Sequence, residues 1–185
     1  MILLLLADGF EETEALVPLD LLRRGKLDVK TVGITGKTVT GAHGIAVTAD
    51  LLPRDAKGKI DALILPGGMP GTLNLDGSSD VDRLIERTRA DGGRLAAICA
   101  APLVLGRRGL LSGKRAVCFP GFENELKGAV RSNERVETDG DVTTAVGMGA
   151  AYEFGLALLA LLAGRETAEK VRSSSLIPDG IGIPD

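Results

Sequence analysis

Leu95-Ala96-Ala97-Ile98-Cys99-Ala100-Ala101-Pro102 decides the fold. Leu95 to Ile98 is an aliphatic run too short for a helix, and Pro102 suits a first helical turn, where no amide donor is needed. The stretch therefore reads as a buried strand that turns into a helix over Ala100 to Arg107, with Cys99 as the strand's last residue. Upstream, Ala62 to Leu65 forms another such strand, stopped by the loop Pro66-Gly67-Gly68-Met69-Pro70-Gly71. A helix capped by Ser79 runs to Ala90, with Val81, Leu84, Ile85 and Thr88 on one face and Gly92-Gly93 as its stop. Further out, Ile2 to Leu6 is a first strand, and Glu11 to Arg24 is a helix that Pro18 is expected to kink. Val29 to Ile34 is the next strand. Val39-Thr40 and Ile45 to Thr48 make a short hairpin holding His43.

Downstream of Cys99, Ala116 to Phe119 reads as a strand carrying Cys118, and Glu123 to Leu126 as a helical turn. Val136 and Val142 to Ala145 form a late strand pair around Asp139-Gly140. Tyr152 to Leu162 is a strongly apolar helix, Glu166 to Ser173 a short one, and Ser173 to Asp185 an extended tail. Strands alternating with helices at this spacing imply an α/β fold: an open, doubly wound, mostly parallel sheet with helices on both faces, formed by residues 1–185 as one domain.

The composition narrows the function classes. The 185 residues are 44% hydrophobic and 25% charged, which is ordinary globular chemistry. Aromatics are only 3%, there is no Trp, and the formal charge is −3, so neither base stacking nor counterion release favours nucleic acid as a partner. Met1 to Leu6 lacks a basic leader, and Ala150 to Ala163, interrupted by Glu153, falls short of the ~20 residues a bilayer span needs. No membrane association is expected. Two cysteines without a disulfide framework point to a reducing compartment, the cytoplasm. With one histidine besides, a structural zinc site is not expected.

Three special segments fall at the carboxyl ends of strands, where such sheets bind ligands: Gly9 to Glu14, Pro66 to Gly68 and Ala96 to Pro102. A thiol at a strand-to-helix elbow faces helix amides that favour the thiolate, so the pKa of Cys99 is expected to fall. The competing reading is a small buried hydrophobe. For Cys118, inside an apolar strand, that reading prevails. Glu11 and Glu14 share a helix face, and a Glu pressed against the thiol can exchange a proton with it. At least one of Glu11, Glu12 and Glu14 is expected to be solvated. Gly67-Gly68 offers amides to an oxyanion, while His43, in its hairpin, reads as structural or interfacial rather than catalytic.

These residues resemble the DJ-one/ThiJ/PfpI superfamily, in the branch of the parkinsonism protein and its bacterial relatives. The resemblance rests on Gly9 to Glu14, Pro66-Gly67-Gly68, Ala96-Ala97-Ile98-Cys99-Ala100-Ala101-Pro102 and Tyr152-Glu153-Phe154, and covers nearly the whole chain. It implies a flavodoxin-like, class I glutamine amidotransferase-like fold, with Cys99 the reactive, oxidation-prone cysteine and Glu14 the acid bonded to its sulfur. By the same resemblance Gly68 and Ala100 supply the amides around a substrate oxygen, and Glu11, Arg24 and His43 fall near the pocket and a homodimer seam. The implied activity is glyoxalase or deglycase chemistry on small dicarbonyls, needing no cofactor and no metal. The alternative is a redox sensor or chaperone with an oxidisable cysteine. Ala100 stands where the protease-like branch has histidine, which removes peptidase chemistry from the expectation. Phe119-Pro120 stands where some members place a pocket histidine before proline.

Overall fold

Five consecutive aliphatic residues, Ile2–Leu6, form a fully buried strand, and its side-chain alternation organises the molecule. Leu4 and Leu6 point into one core with Ile64, Ile98, Leu22, Phe154 and Leu158. Leu3 and Leu5 point into a second core with Leu63, Leu65, Leu95, Leu84 and Val104. A strand buried on both faces is what a parallel sheet sandwiched by helices requires.

The computed structural model describes residues 1–184. Its elements begin with β1 (Ile2–Leu6), α1 (Glu12–Arg24), β2 (Val29–Gly33), β3 (Thr38–Thr40), β4 (Ala46–Thr48) and β5 (Ala62–Leu65). Next come α2 (Gly71–Asp76), α3 (Ser79–Ala90), β6 (Arg94–Ile98), α4 (Pro102–Arg107), β7 (Arg115–Ala116) and β8 (Val130–Arg131). The last are β9 (Val136–Asp139), β10 (Val142–Ala145), α5 (Ala151–Ala163) and α6 (Arg165–Ser174). The main sheet has the order β2-β1-β5-β6-β10-β9. Its pairings are parallel except that of β9 with β10. The chain runs outward from β1 to β2 and then returns to β5 on the other side, so the order reverses between β1 and β5. A crevice opens at that reversal, outside the carboxyl ends of the strands. Among the described residues, no helix is long and apolar enough to cross a membrane.

The open, mostly parallel sheet agrees with the sequence reading, and several boundaries do not. Cys99 is not the last strand residue but the one beyond β6, and α4 begins at Pro102 rather than Ala100. Ser79 opens α3 as a helical residue, with Ser78 at the cap position and no side-chain cap bond. The strand expected over Ala116 to Phe119 shrinks to β7, paired with β8 outside the main sheet. Its remaining amides are used elsewhere: Val117 donates to Thr144 Oγ1 at 3.0 Å and Phe119 to the Cys99 carbonyl at 2.8 Å. Cys118 is therefore off any strand, though buried as expected. The tail is not simply extended: Ile177 and Ile183 fold back into the core shared by α1 and α5. Asp185, its last residue, lies outside the described residues.

Pro18 sits within α1 without ending it. It meets α5 at Gly155, where an added Cβ would lie 2.8 Å from Leu21 Cδ1 and 3.0 Å from Pro18 Cα. Replacing Gly155 by Val forces this contact apart and is expected to cost about 1–3 kcal/mol. Urea unfolding at neutral pH measures it; an unchanged midpoint would mean that the two helices separate freely.

Candidate active site

Cys99 has φ 66°, the left-handed region that non-glycine residues seldom occupy. Two backbone bonds hold it there. Its amide donates to the Ala145 carbonyl at 2.9 Å, and its carbonyl accepts from Phe119 at 2.8 Å. The turn lifts the side chain out of the strand into the crevice, where the amides of Ala100 and Gly68 are directed at the sulfur. A strained elbow bearing a nucleophile is a recurrent device at active sites.

Glu14 reaches the same place from α1. Glu11 caps that helix, its carboxylate accepting from the Glu14 amide at 2.7 Å, while the Glu11 amide donates to the Gly67 carbonyl at 2.9 Å. Glu14 Oε2 accepts from the Gly67 amide at 3.0 Å. Its other oxygen, Oε1, is buried without a hydrogen bond of full geometry, and the Cys99 thiol and the Met148 amide are the groups that couple to this carboxyl. The loop between them admits no side chain. A Cβ on Gly67 would sit 2.6 Å from Glu14 Oε2 and 2.7 Å from Cys99 Cβ, and one on Gly68, at φ +91°, would sit 2.6 Å from the Gly9 carbonyl oxygen.

The electrostatics overturn one expectation. Burial, and next the Glu14 charge, push the Cys99 thiol up to about 12, although the Ala100 and Gly68 amides pull the other way. With α4 only six residues long and starting three positions beyond Cys99, helix amides do not lower this pKa as the sequence suggested. Burial likewise pushes Glu14 up to about 7, against hydrogen bonds that lower it. The two groups titrate as a unit. Loss of one proton leaves a single negative charge that either atom can carry, as thiol with carboxylate or as thiolate with carboxylic acid. A thiol and a carboxyl able to exchange a proton are thus in contact.

None of the three glutamates is fully exposed. Glu11 is half-buried and partly solvated, Glu12 is buried under the β3–β4 hairpin, and Glu14 is buried against the Gly67 loop and Cys99. Glu12 accepts from the His43 amide at 2.8 Å and the Ile45 amide at 3.4 Å, and contacts His43 Nδ1 at 2.8 Å. His43 is thereby committed to Glu12 rather than to the thiol. Burial alone would raise Glu12, yet the His43 ring and these amides hold its pKa below the ordinary value. The hydrogen bond to Glu12 raises that of His43. The pairing is therefore present at acid pH and lost as pH rises through the elevated imidazole pKa. As the sole histidine, His43 gives one resolved imidazole titration by NMR, and Glu12→Gln should move it back down toward about 6.5. An unmoved titration would refute the pairing. Glu11, Glu12 and His43 are also the group of metal-ligand types found among the described residues, with ligand atoms within 4.8 Å of one another. Glu12 and His43 already satisfy each other there.

Arg24 is not brought to the thiol within this chain. It ends α1, about 15 Å along the helix from Glu14, pairs with Asp20, and borders a groove with Lys26 and α6 residues. Sequence reasoning missed the Gly147-Met148-Gly149 loop that delivers the Met148 amide to Glu14. Its signal was available: another glycine-rich turn directly after a strand, β10.

Residues 1–161 match the family model described as the DJ-1/PfpI family. The chain belongs to this family. The DJ-1 homolog B of Arabidopsis thaliana is 38% identical over 174 residues, covering 92% of this chain and 40% of that protein, so the chain spans less than half of this plant relative. A Caenorhabditis elegans DJ-1/PfpI relative named a glutathione-independent glyoxalase, DJR-1.2, is 32% identical over 168 residues, covering 89% of each. Among solved structures, a cysteine-to-alanine variant of a DJ-1 superfamily protein from Salmonella typhimurium has a TM-score of 0.90 at 34% identity, covering 96% of this chain and 98% of that one. Toxoplasma gondii DJ-1, in an oxidized form, has a TM-score of 0.90 at 33% identity, covering 95% and 97%.

Proposed function

We propose that this protein converts small α-oxoaldehydes such as methylglyoxal, free or as reversible adducts, into α-hydroxy acids, using Cys99 as nucleophile and Glu14 as proton shuttle. One observation carries the reading: the Cys99 sulfur lies against the Gly68 and Ala100 amides and against a carboxyl whose pKa is pushed up to about 7. The glyoxalase name of the C. elegans relative supports it.

The sulfur attacks the aldehyde carbon, forming the S–C bond, and the carbonyl electron pair moves to oxygen. The Gly68 and Ala100 amides stabilise that oxyanion, and the Glu14 proton converts it to a hemithioacetal. Glu14, now ionised, removes the proton on the former aldehyde carbon, leaving an enediolate. It then returns that proton to the neighbouring carbon while the hydroxyl proton passes between the two adjacent oxygens. The aldehyde carbon is oxidised to a thioester and the ketone carbon reduced to an alcohol, so no external electron acceptor is consumed. Water cleaves the S–C bond, releasing the hydroxy acid and restoring the thiol. The chain's own residues thus supply nucleophile, oxyanion donors and proton carrier. Its setting in this reading is the cytoplasm, as a homodimer.

Proton NMR of methylglyoxal incubated with the chelator-treated protein tests the reading. Lactate should appear with wild type and not with Cys99→Ala, and equal rates would overturn it.

A second reading, a peroxide sensor, is favoured by Glu14, whose carboxyl interacts with the thiol and keeps one buried oxygen, Oε1, without a full hydrogen bond. Two peroxide molecules would oxidise the thiolate to sulfinate and leave as two waters, with protonated Glu14 bonding a sulfinate oxygen. Intact mass after mild peroxide should show two added oxygens mapping to Cys99; an unchanged mass would refute it.

A further inference from the structure

The segments that hold the thiol each present a large apolar side chain to solvent. Phe119, whose amide fixes the Cys99 carbonyl, is 47% exposed; Met148, whose amide meets Glu14, is 55% exposed; Met69, beside Gly68, is 43% exposed. Phe119 is the best located of the three. A Cβ built on Gly147 would lie 3.2 Å from Phe119 Cδ2 and 3.9 Å from Cys99 Sγ, so ring and sulfur flank the same face of that glycine. The backbone that carries the ring is bonded on both sides, the amide to Cys99 and the carbonyl to the Phe122 amide at 3.2 Å.

Acidic groups stand beside this lip. Glu11 and Glu14 oppose an anion, and Arg135, which reaches the Gly149 carbonyl, is paired with Glu153 at 2.8 Å. An anionic substituent there would meet these carboxylates, while the exposed ring and two thioethers gain by covering an apolar group.

We propose that Phe119, helped by Met148 and Met69, selects α-oxoaldehydes bearing an apolar, ring-sized substituent, seating that substituent on the Phe119 ring while the aldehyde carbon meets Cys99. Methylglyoxal is then an accepted but poor substrate, and a charged α-oxo acid such as glyoxylate is excluded. The inference rests on the oxoaldehyde reading above and names its substrate class. Phe119 acts here in specificity, with no part in proton transfer.

Steady-state rates of wild type, Phe119→Leu and Phe119→Ala with phenylglyoxal, methylglyoxal and glyoxylate test it. Wild type should favour phenylglyoxal over methylglyoxal by about 10-fold or more in kcat/KM, mostly through KM. Phe119→Ala should remove most of that preference by lowering kcat/KM for phenylglyoxal far more than for methylglyoxal, with Phe119→Leu between them. Equal rates for the two aldehydes in wild type, or an equal loss for both in Phe119→Ala, would overturn the selector role while leaving the oxoaldehyde reading standing. If neither aldehyde is turned over, that reading falls. The lip is then read through alkylation of Cys99, located by peptide mass, with iodoacetanilide against iodoacetamide. A wild-type preference for the anilide that Phe119→Ala abolishes supports an aryl-selecting lip, and its absence refutes one.

Discussion

Cys99→Ala should lower kcat/KM for an α-oxoaldehyde by about 10³-fold or more while leaving the folded protein as stable as wild type within about 1 kcal/mol. The activity loss is large because no other group can take over the covalent step: Cys118 lies off the site and is also pushed up, to about 11, chiefly by burial. The small stability change follows from the backbone. Alanine keeps the Cβ and both bonds of residue 99, so the left-handed turn at φ 66° and its strain persist. Stopped-flow turnover and urea unfolding on the same preparation read both quantities. Loss of activity together with collapse of the unfolding midpoint would point to a structural cysteine instead.

Glu14→Gln should separate activity from stability in the opposite direction. The wild-type carboxyl has its folded pKa raised from 4.5 to about 7 by burial, so its contribution is fully favourable below about pH 4.5 and is lost as pH rises through about 7. The difference amounts to about 3 kcal/mol across that window. Glutamine is neutral throughout and lacks this loss. Relative to wild type, Glu14→Gln should therefore gain about 3 kcal/mol between pH 4.5 and pH 8, read by urea unfolding at both ends. Its catalytic rate should drop about 10²–10⁴-fold, because the amide neither donates nor accepts the migrating proton. The wild-type rise in rate near pH 7 should vanish with it. A parallel pH dependence of stability in the two proteins would mean that Glu14 is not the buried titrating group.

The principal strands and helices were legible because they rest on strong local signals, such as the aliphatic run Ile2–Leu6 and the helical spacing of Val81, Leu84, Ile85 and Thr88. The pair of Cys99 and Glu14 was legible only through the family resemblance; position alone placed both at one sheet edge. What escaped were outcomes of tertiary competition. Ala116 to Phe119 is apolar enough for a strand, but its amides find Thr144 and Cys99 first. The α2 helix was hidden by the proline and glycines that introduce it at Pro70-Gly71. The rise in the Cys99 pKa was unreadable because it depends first on how far Cys99 itself is buried and next on the Glu14 charge beside it, which no local pattern records.

The reversal of strand order between β1 and β5 also governs how the site comes into being. Glu14 follows β1, the Gly67 amide it binds is 53 residues away, and the thiol comes just beyond the next strand, β6. The contacts that join Cys99, Glu14 and the Gly67-Gly68 loop to one another are thus long-range ones whose loop-closure entropy is met only when neighbouring parallel strands have docked. A chain refolding from urea can recover helical signal early, yet it acquires a competent thiol only in its final cooperative step. The return of turnover is therefore a clock for completion of the sheet.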